Sequence, residues 1–403
     1  MKKKSKRKML DGNAAATEAL KLARVKVISA YPITPQSPIA EKLSELVANG
    51  ELDARYIRVE SEHTAMSCAI GAQFTGVRAA TATSSVGLAL MHEVLGVASG
   101  CRVPLVMPVV NRALVSPWSL WCDHQDTMAE RDSGWLQLYA ENAQEVLDLI
   151  IAAYKAAEDE EVLLPVMVCF DGFFVSHSIQ PVEVPEAQVV DAFLPPYENK
   201  NLYLDPRDPM FINDLTAPAE FSEMRYQQVV AFDRALEVVP RVFAEFSRVV
   251  GRKYEMVEAH RCEDAEAVLI TMGSMSGTCK HVVDEMRSRG KRVGAVKILS
   301  FRPFPVAMLA GILKGKKAIG VIDRSAGLGA QGGPLWLEVK SALPGNGAQV
   351  CGYVAGLGGR DVTEETIGKI FSGLLGETPE AVKSWVDTAD DAMDKRRMAS
   401  AAY

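Results

Sequence analysis

A repeated alternation constrains this chain more than any other feature. Short strand-like runs, VKVISAY, YIRVES, RAATATSS, VPLVMPVV and LLPVMVCFD, are separated by segments with helical spacing. Most of these runs are apolar nearly throughout, which is the pattern of strands covered on both faces, and such strands belong to parallel sheets. Between them stand SPIAEKLSELVANG, EHTAMSCAIGAQFTG, VGLALMHEVLGVASG and a long amphipathic stretch, WLQLYAENAQEVLDLIIAAYKAAEDE, read as one helix. Over 63–75, Met66, Ala69, Ile70 and Phe74 fall on one helical stripe. Strand–helix alternation of this kind predicts a doubly wound α/β domain with a parallel sheet.

The alternation breaks near residue 185 and resumes near 261, which divides the 403 residues. A basic tail (1–10) precedes an α/β domain (11–185). A Pro-, Asp- and Asn-rich excursion with a following helix (186–260) leads to a second, smaller α/β domain (261–363) and a C-terminal helical tail (364–403). Hydrophobic content of 48% and charged content of 24% are those of an ordinary globular chain. The net charge of −7 argues against a general nucleic-acid surface. No apolar run approaches the roughly 18 residues of a membrane span. The tail MKKKSKRK lacks an apolar signal core and reads as a solvated, frayed end, with an acidic partner or membrane surface as the alternative. Seven scattered cysteines without a CxxC give no disulfide framework, cluster or zinc site. A reduced, cytoplasmic protein is expected.

In open parallel sheets ligands bind beyond the carboxyl ends of the strands. Thr34 follows the first strand, Glu62 the second, Ser84 and Ser85 the third, Asn111 and Arg112 the fourth, and Asp171 ends the fifth. Singly, each has a structural reading: serines as helix caps, Glu62 on a helix dipole, Arg112 in an ion pair, Asp171-Gly172 as a turn. Collected on one edge they predict a site, with a carboxylic acid as the ligand for Arg112. The glycine clusters GLGAQGG (327–333) and GLGGRD (356–361) match no phosphate-loop or dinucleotide pattern and are expected to be tight turns. His124, with no second histidine or cysteine at ligand spacing, is expected to be a polar loop residue and not a metal ligand.

The segments AYPITPQSPIAE, RVESEHTAM, NRAL, CDHQDTMAERDSGW, CFDGFFVSH, ITMGSMSGT, FRPFP and VIDR occur in one order along the chain. In this the sequence resembles the α subunit of thiamine-diphosphate-dependent 2-oxoacid:ferredoxin oxidoreductases, most closely the pyruvate enzyme. The resemblance implies a pyrimidine-binding domain followed by a transketolase C-terminal-like domain. It implies that Glu62 hydrogen-bonds N1′ of the cofactor's aminopyrimidine, favouring the imino tautomer that serves as the internal base. It further gives Thr34 and Arg112 to the substrate's carboxylate and oxo oxygen, with Asn111 and the loop Asp123, His124, Gln125 and Asp126 bordering the pocket. Ser84 and Ser85 line the cofactor side. On this reading Pro32 and Pro35 fix the direction of the Thr34 hydroxyl.

The sequence has no GDG segment of the kind that holds the diphosphate through Mg²⁺, and no cysteine cluster. The resemblance therefore implies partners: a β subunit with the diphosphate-binding domain, a γ subunit, and a ferredoxin-like δ subunit, with [4Fe-4S] clusters on the partner chains and CoA as co-substrate. Pyruvate is the expected 2-oxoacid. Trp118 and Trp121, if the loop folds over the pocket, suit a bulkier aromatic or branched acid such as phenylglyoxylate; otherwise they pack the loop down. A non-catalytic assembly subunit and a transferase using the same cofactor half are the competing classes.

Overall fold

The computed structural model describes residues 5–115, 117–199, 202–343, 347–376 and 383–388. In chain order the first half comprises β1 (Ser5–Leu10), α1 (Gly12–Leu22), β2 (Val27–Ala30), α2 (Ser37–Ala48), β3 (Arg55–Arg58), α3 (Glu62–Phe74), β4 (Ala79–Ala80), α4 (Ser85–Leu90) and α5 (His92–Gly100). There follow β5 (Val106–Asn111), α6 (Gln125–Ala129), β6 (Leu136–Ala140), α7 (Ala143–Ala157), β7 (Val166–Asp171), β8 (Gln180–Pro185), α8 (Ala187–Phe193) and α9 (Pro218–Val250). The second half holds β9 (Val257–His260), β10 (Ala267–Thr271), α10 (Met275–Ser288), β11 (Val293–Ile298), β12 (Ser300–Arg302), α11 (Val306–Leu313), β13 (Ala318–Asp323), α12 (Pro334–Ala342), β14 (Gln349–Val354), α13 (Glu364–Leu374) and β15 (Lys383–Trp385).

Two ladders, β3-β2-β4 and β12-β6-β7-β5, are joined by a parallel bridge between Thr83 and Val109. All their pairings are parallel except β12 with β6. β5, β6 and β7 are buried along their full length, as the apolar runs predict. The second sheet, β15-β14-β13-β10-β11-β9, is parallel apart from β9. The doubly wound α/β architecture is thus present in both halves. β12 comes from the second half of the chain yet extends the first sheet, pairing Ser300 with Leu138, so the two units are stitched by backbone.

Three expectations change. The stretch WLQLYA is not the start of a helix: Leu136–Ala140 is a buried strand, and the helix begins only after Asn142, whose side chain caps Glu145 N. The amphipathic run hid the boundary because α7 is covered on nearly all sides and so lacks a polar face to mark its start. The basic tail is not frayed from residue 5 onward. Lys6, Arg7 and Lys8 lie in β1, which pairs antiparallel with β8, and Ser5 Oγ donates to Glu183 at 3.0 Å while Lys8 meets Glu18 at 2.6 Å. The helical tail expected over 364–403 is helical through Leu374 and carries the short strand β15; its remaining residues from 389 lie outside the described part. Among the described residues no helix is long and apolar enough to cross a membrane.

Candidate active site

The strand ends behave in two ways. On the β5–β7 side every carboxylate is taken. The Asp126 carboxylate accepts from Ser85 N and Arg112 N at 3.0 Å, from Asn111 Nδ2 at 2.8 Å and from Thr127 N at 2.8 Å. Burial pushes its pKa up to about 6, against the hydrogen bonds from Asn111, Arg112 and Ser85. Asp126 thereby ties the start of α4 to the end of β5. Ser85 is not a capping serine: its hydroxyl donates to Ala113 O at 2.6 Å.

Asp171, at the end of β7, is fully buried and bonded to His124 Nε2 at 2.7 Å and Arg324 Nη1 at 2.6 Å, and it accepts from Ser274 N at 3.1 Å. Burial acts to raise its pKa, but His124, Arg324 and Ser274 more than offset this and hold the carboxyl well below its usual range. Cys122, His124 and Asp171 bring three potential metal donors within 4.8 Å of one another. The guanidinium of Arg324 stands where a cation would, and burial pushes the Cys122 thiol up, away from the thiolate a metal needs. The separate residues of the CDHQD loop also reach the second unit. Gly359 N donates to Cys122 O at 2.6 Å, Gly358 N to Asp123 at 3.3 Å, His124 N to Arg324 O at 2.7 Å and Ala326 N to Gln125 Oε1 at 3.1 Å. Asp123, His124 and Gln125 are therefore an interdomain clasp. The cluster GLGGRD is a turn that also leaves room for a neighbouring aromatic. Gly359 has φ +81, and a Cβ there would lie 2.3 Å from Trp121 Cβ.

On the other side the polar groups are left open. Glu62 is the first residue of α3, after Ser61, whose hydroxyl caps Thr64 N. Its side chain is buried, yet its carboxylate has no hydrogen bond or ion pair to any described residue. Along the same edge Thr81 Oγ1, Thr83 Oγ1, Ser84 Oγ and Asn111 Oδ1 are buried without partners. Ser84 occupies the cap position of α4 but makes no cap bond. Unpaired buried polar groups are costly, and a concentration of them on one strand edge marks a place reserved for a ligand. The donor set, one carboxylate with hydroxyls and an amide oxygen, fits an aminopyrimidine with N–H groups.

Arg112 is buried beside this edge, its Nη1 donating to Thr34 O at 2.9 Å and its Nε to Ser119 O at 3.0 Å. The prolines around Thr34 thus go with a pinned carbonyl, while its side chain is exposed. Trp118 and Trp121 are 76% and 55% exposed; Trp121 packs on Phe173 at 6.3 Å between ring centroids. Sequence reasoning did not find Thr83, Ser274 or Arg324. The hydroxyl of Thr83 sits in an ordinary strand run, and the partners of Asp171 lie 103 and 153 residues away.

An open polar edge on a doubly wound domain, backed by a second α/β unit, defines an α/β chain with a ligand site at its strand ends. The chain belongs to the pyruvate flavodoxin/ferredoxin oxidoreductase family: residues 18–244 match its thiamine-diphosphate-binding domain and residues 265–367 match pyruvate:ferredoxin oxidoreductase core domain II. It is 51% identical to the pyruvate synthase subunit PorA of Methanocaldococcus jannaschii over 91% of this chain and 94% of that one. It is 46% identical to the ketoisovalerate oxidoreductase subunit VorA of Pyrococcus abyssi over 89% and 90%. A 2-oxoglutarate:ferredoxin oxidoreductase from Magnetococcus marinus, solved with 2-oxoglutarate, coenzyme A and succinyl-CoA, superposes with a TM-score of 0.72 at 20% identity over 92% of this chain. This chain spans 65% of that one. A split-gene transketolase shares the fold at a TM-score of 0.55 and 11% identity, covering 91% of this chain and 98% of that one.

Proposed function

We propose that this chain is the α-type subunit of a cytoplasmic, CoA-acylating 2-oxoacid oxidoreductase, holding the pyrimidine half of thiamine diphosphate and acting on pyruvate. The observation that carries the reading is Glu62, a buried residue whose carboxylate has no partner among the described residues and lies beside the unpartnered hydroxyl of Thr83. When bound, thiamine diphosphate supplies the nucleophilic carbon that adds to the 2-oxo group and the electron sink for decarboxylation. Glu62 accepts a hydrogen bond from the ring nitrogen and holds the proton there. Arg112, with two of its nitrogens fixed on carbonyls, offers its remaining Nη2 to the substrate carboxylate. Thr34 and Asn111 border that carboxylate, and Ser84 and Ser85 flank the ring.

The diphosphate, its Mg²⁺ and the [4Fe-4S] relay belong to partner chains (β, γ and a ferredoxin-like δ), which take the electrons to ferredoxin. The missing GDG segment and cysteine cluster support this division. A branched 2-oxoacid is the second reading. It rests on the 46% identity to the ketoisovalerate subunit, which is lower than the 51% identity to the pyruvate synthase subunit of Methanocaldococcus jannaschii. The complex purified through a tag on this chain is assayed anaerobically for CoA-dependent viologen reduction with pyruvate, 2-oxoisovalerate, phenylglyoxylate and oxalate. Pyruvate is expected to lead; preference for another acid overturns the substrate. Glu62→Gln is expected to lose about 10²–10⁴-fold in turnover with assembly retained, and unchanged turnover overturns the role of Glu62.

A further inference from the structure

Glu62 stands under α4, and the contact between them is unusually close. A Cβ on Gly87 would lie 2.5 Å from Glu62 Oε1, 2.8 Å from Glu62 Cγ and 2.7 Å from Thr83 Oγ1. Gly87 has no positive φ, so the backbone does not require glycine there; the space does. Thr83 is held rigidly. Its N–H donates to Pro108 O at 3.3 Å, and its carbonyl accepts from Val110 N at 3.0 Å, across the bridge that joins the two ladders. Yet its hydroxyl is buried and has no partner. A fixed donor and a partnerless carboxylate oxygen therefore approach the same point, with a glycine keeping that point clear.

We propose that Thr83 is the positioning residue of Glu62: its hydroxyl donates to Oε1 and turns Oε2 toward the ring N–H of the bound aminopyrimidine, in the space that Gly87 leaves free. The inference rests on the reading of Glu62 as the cofactor's carboxylate. A glutamate carboxylate on three rotatable side-chain bonds has many orientations, and one hydrogen bond from a backbone-anchored hydroxyl selects among them. Thr83 touches neither substrate nor cofactor in this scheme.

The test uses the whole complex in four forms: wild type, Thr83→Val, Thr83→Ser and Glu62→Gln. Calorimetric titration gives the affinity for thiamine diphosphate with Mg²⁺, thermal melting of the cofactor-free complex gives stability, and viologen reduction gives kcat. Thr83→Val keeps the shape and deletes a buried hydroxyl that has no partner. It is expected to melt no lower than wild type without cofactor, yet to bind thiamine diphosphate about tenfold more weakly and turn over more slowly. Thr83→Ser, which keeps the donor, is expected to restore both. A purely structural threonine would lower the melting temperature and leave affinity alone, and that result overturns the proposal. So does a Thr83→Val complex with wild-type affinity and kcat while Glu62→Gln is inactive. An active Glu62→Gln complex with normal affinity overturns the reading of Glu62 itself. Gly87→Ala, expected to lose cofactor affinity by steric displacement of the carboxylate, is a further check; full affinity in that variant also overturns the proposal.

Discussion

The two ends of one strand edge differ in how their polar groups are spent. At the β7 end, Asp171 is buried with an imidazole, a guanidinium and a serine closed around it. At the β3–β4 end, the hydroxyls of Thr81, Thr83 and Ser84 are withdrawn from water without a partner, and Glu62, 6% exposed, has none among the described residues. Both sets stand at strand ends. The difference teaches that position on the edge alone does not make a residue functional; a cluster of unmade hydrogen bonds there is the stronger mark, because a fold retains that cost where something else makes the bond.

The comparison breaks most visibly at Arg324. Arg324→Ala leaves the Asp171 carboxylate buried without its guanidinium, and stability is expected to fall by about 3–5 kcal/mol in denaturant unfolding. A loss under about 1 kcal/mol would show that the clasp is not the closed system described. A smaller effect distinguishes the two buried aspartates by pH. Asp126 is raised from 3.8 to about 6, so between those values the folded chain keeps a proton that the unfolded chain releases. Stability then decreases as the pH rises through that window, by an amount on the order of 3 kcal/mol. Asp171 is depressed, so its contribution is present above 3.8 and is lost only as the pH falls through its lowered value. Unfolding between pH 4 and 7, with Asp126→Asn as the reference lacking that titration, reads the slope directly. Smallest of all is Ser84→Ala, which removes a hydroxyl with no described partner; the stability of the cofactor-free complex is expected to move by no more than about 0.5 kcal/mol in thermal melting. A large loss there would place Ser84 with the closed set.

How much of this was legible in the sequence follows the same division. The parallel sheet was readable because burial on both faces leaves an apolar run, as in Val106–Asn111 and Val166–Asp171. Asn111 and Arg112 were readable because a charged or amide side chain just past such a run has few structural uses, and Glu62 because it stands at the junction of a strand with a helix. Leu136–Ala140 was not, since a strand feeding a fully covered helix shows no change of period at the junction. His124 looked solitary because Asp171 is 47 residues away and Arg324 lies in the other unit. Strand pairing of SKRKML was hidden by its charges, which alternate with nothing β-branched; the partners, Glu183 for Ser5 and Glu18 for Lys8, meet them only in three dimensions.

That pairing has a temporal side. β1 is made first and β8 some 178 residues later, as the Ser5–Glu183 separation records. At ribosomal rates of about 5–20 residues per second, the basic segment spends roughly ten to thirty seconds without its strand partner. Only the arrival of residues 180–185 closes the ribbon.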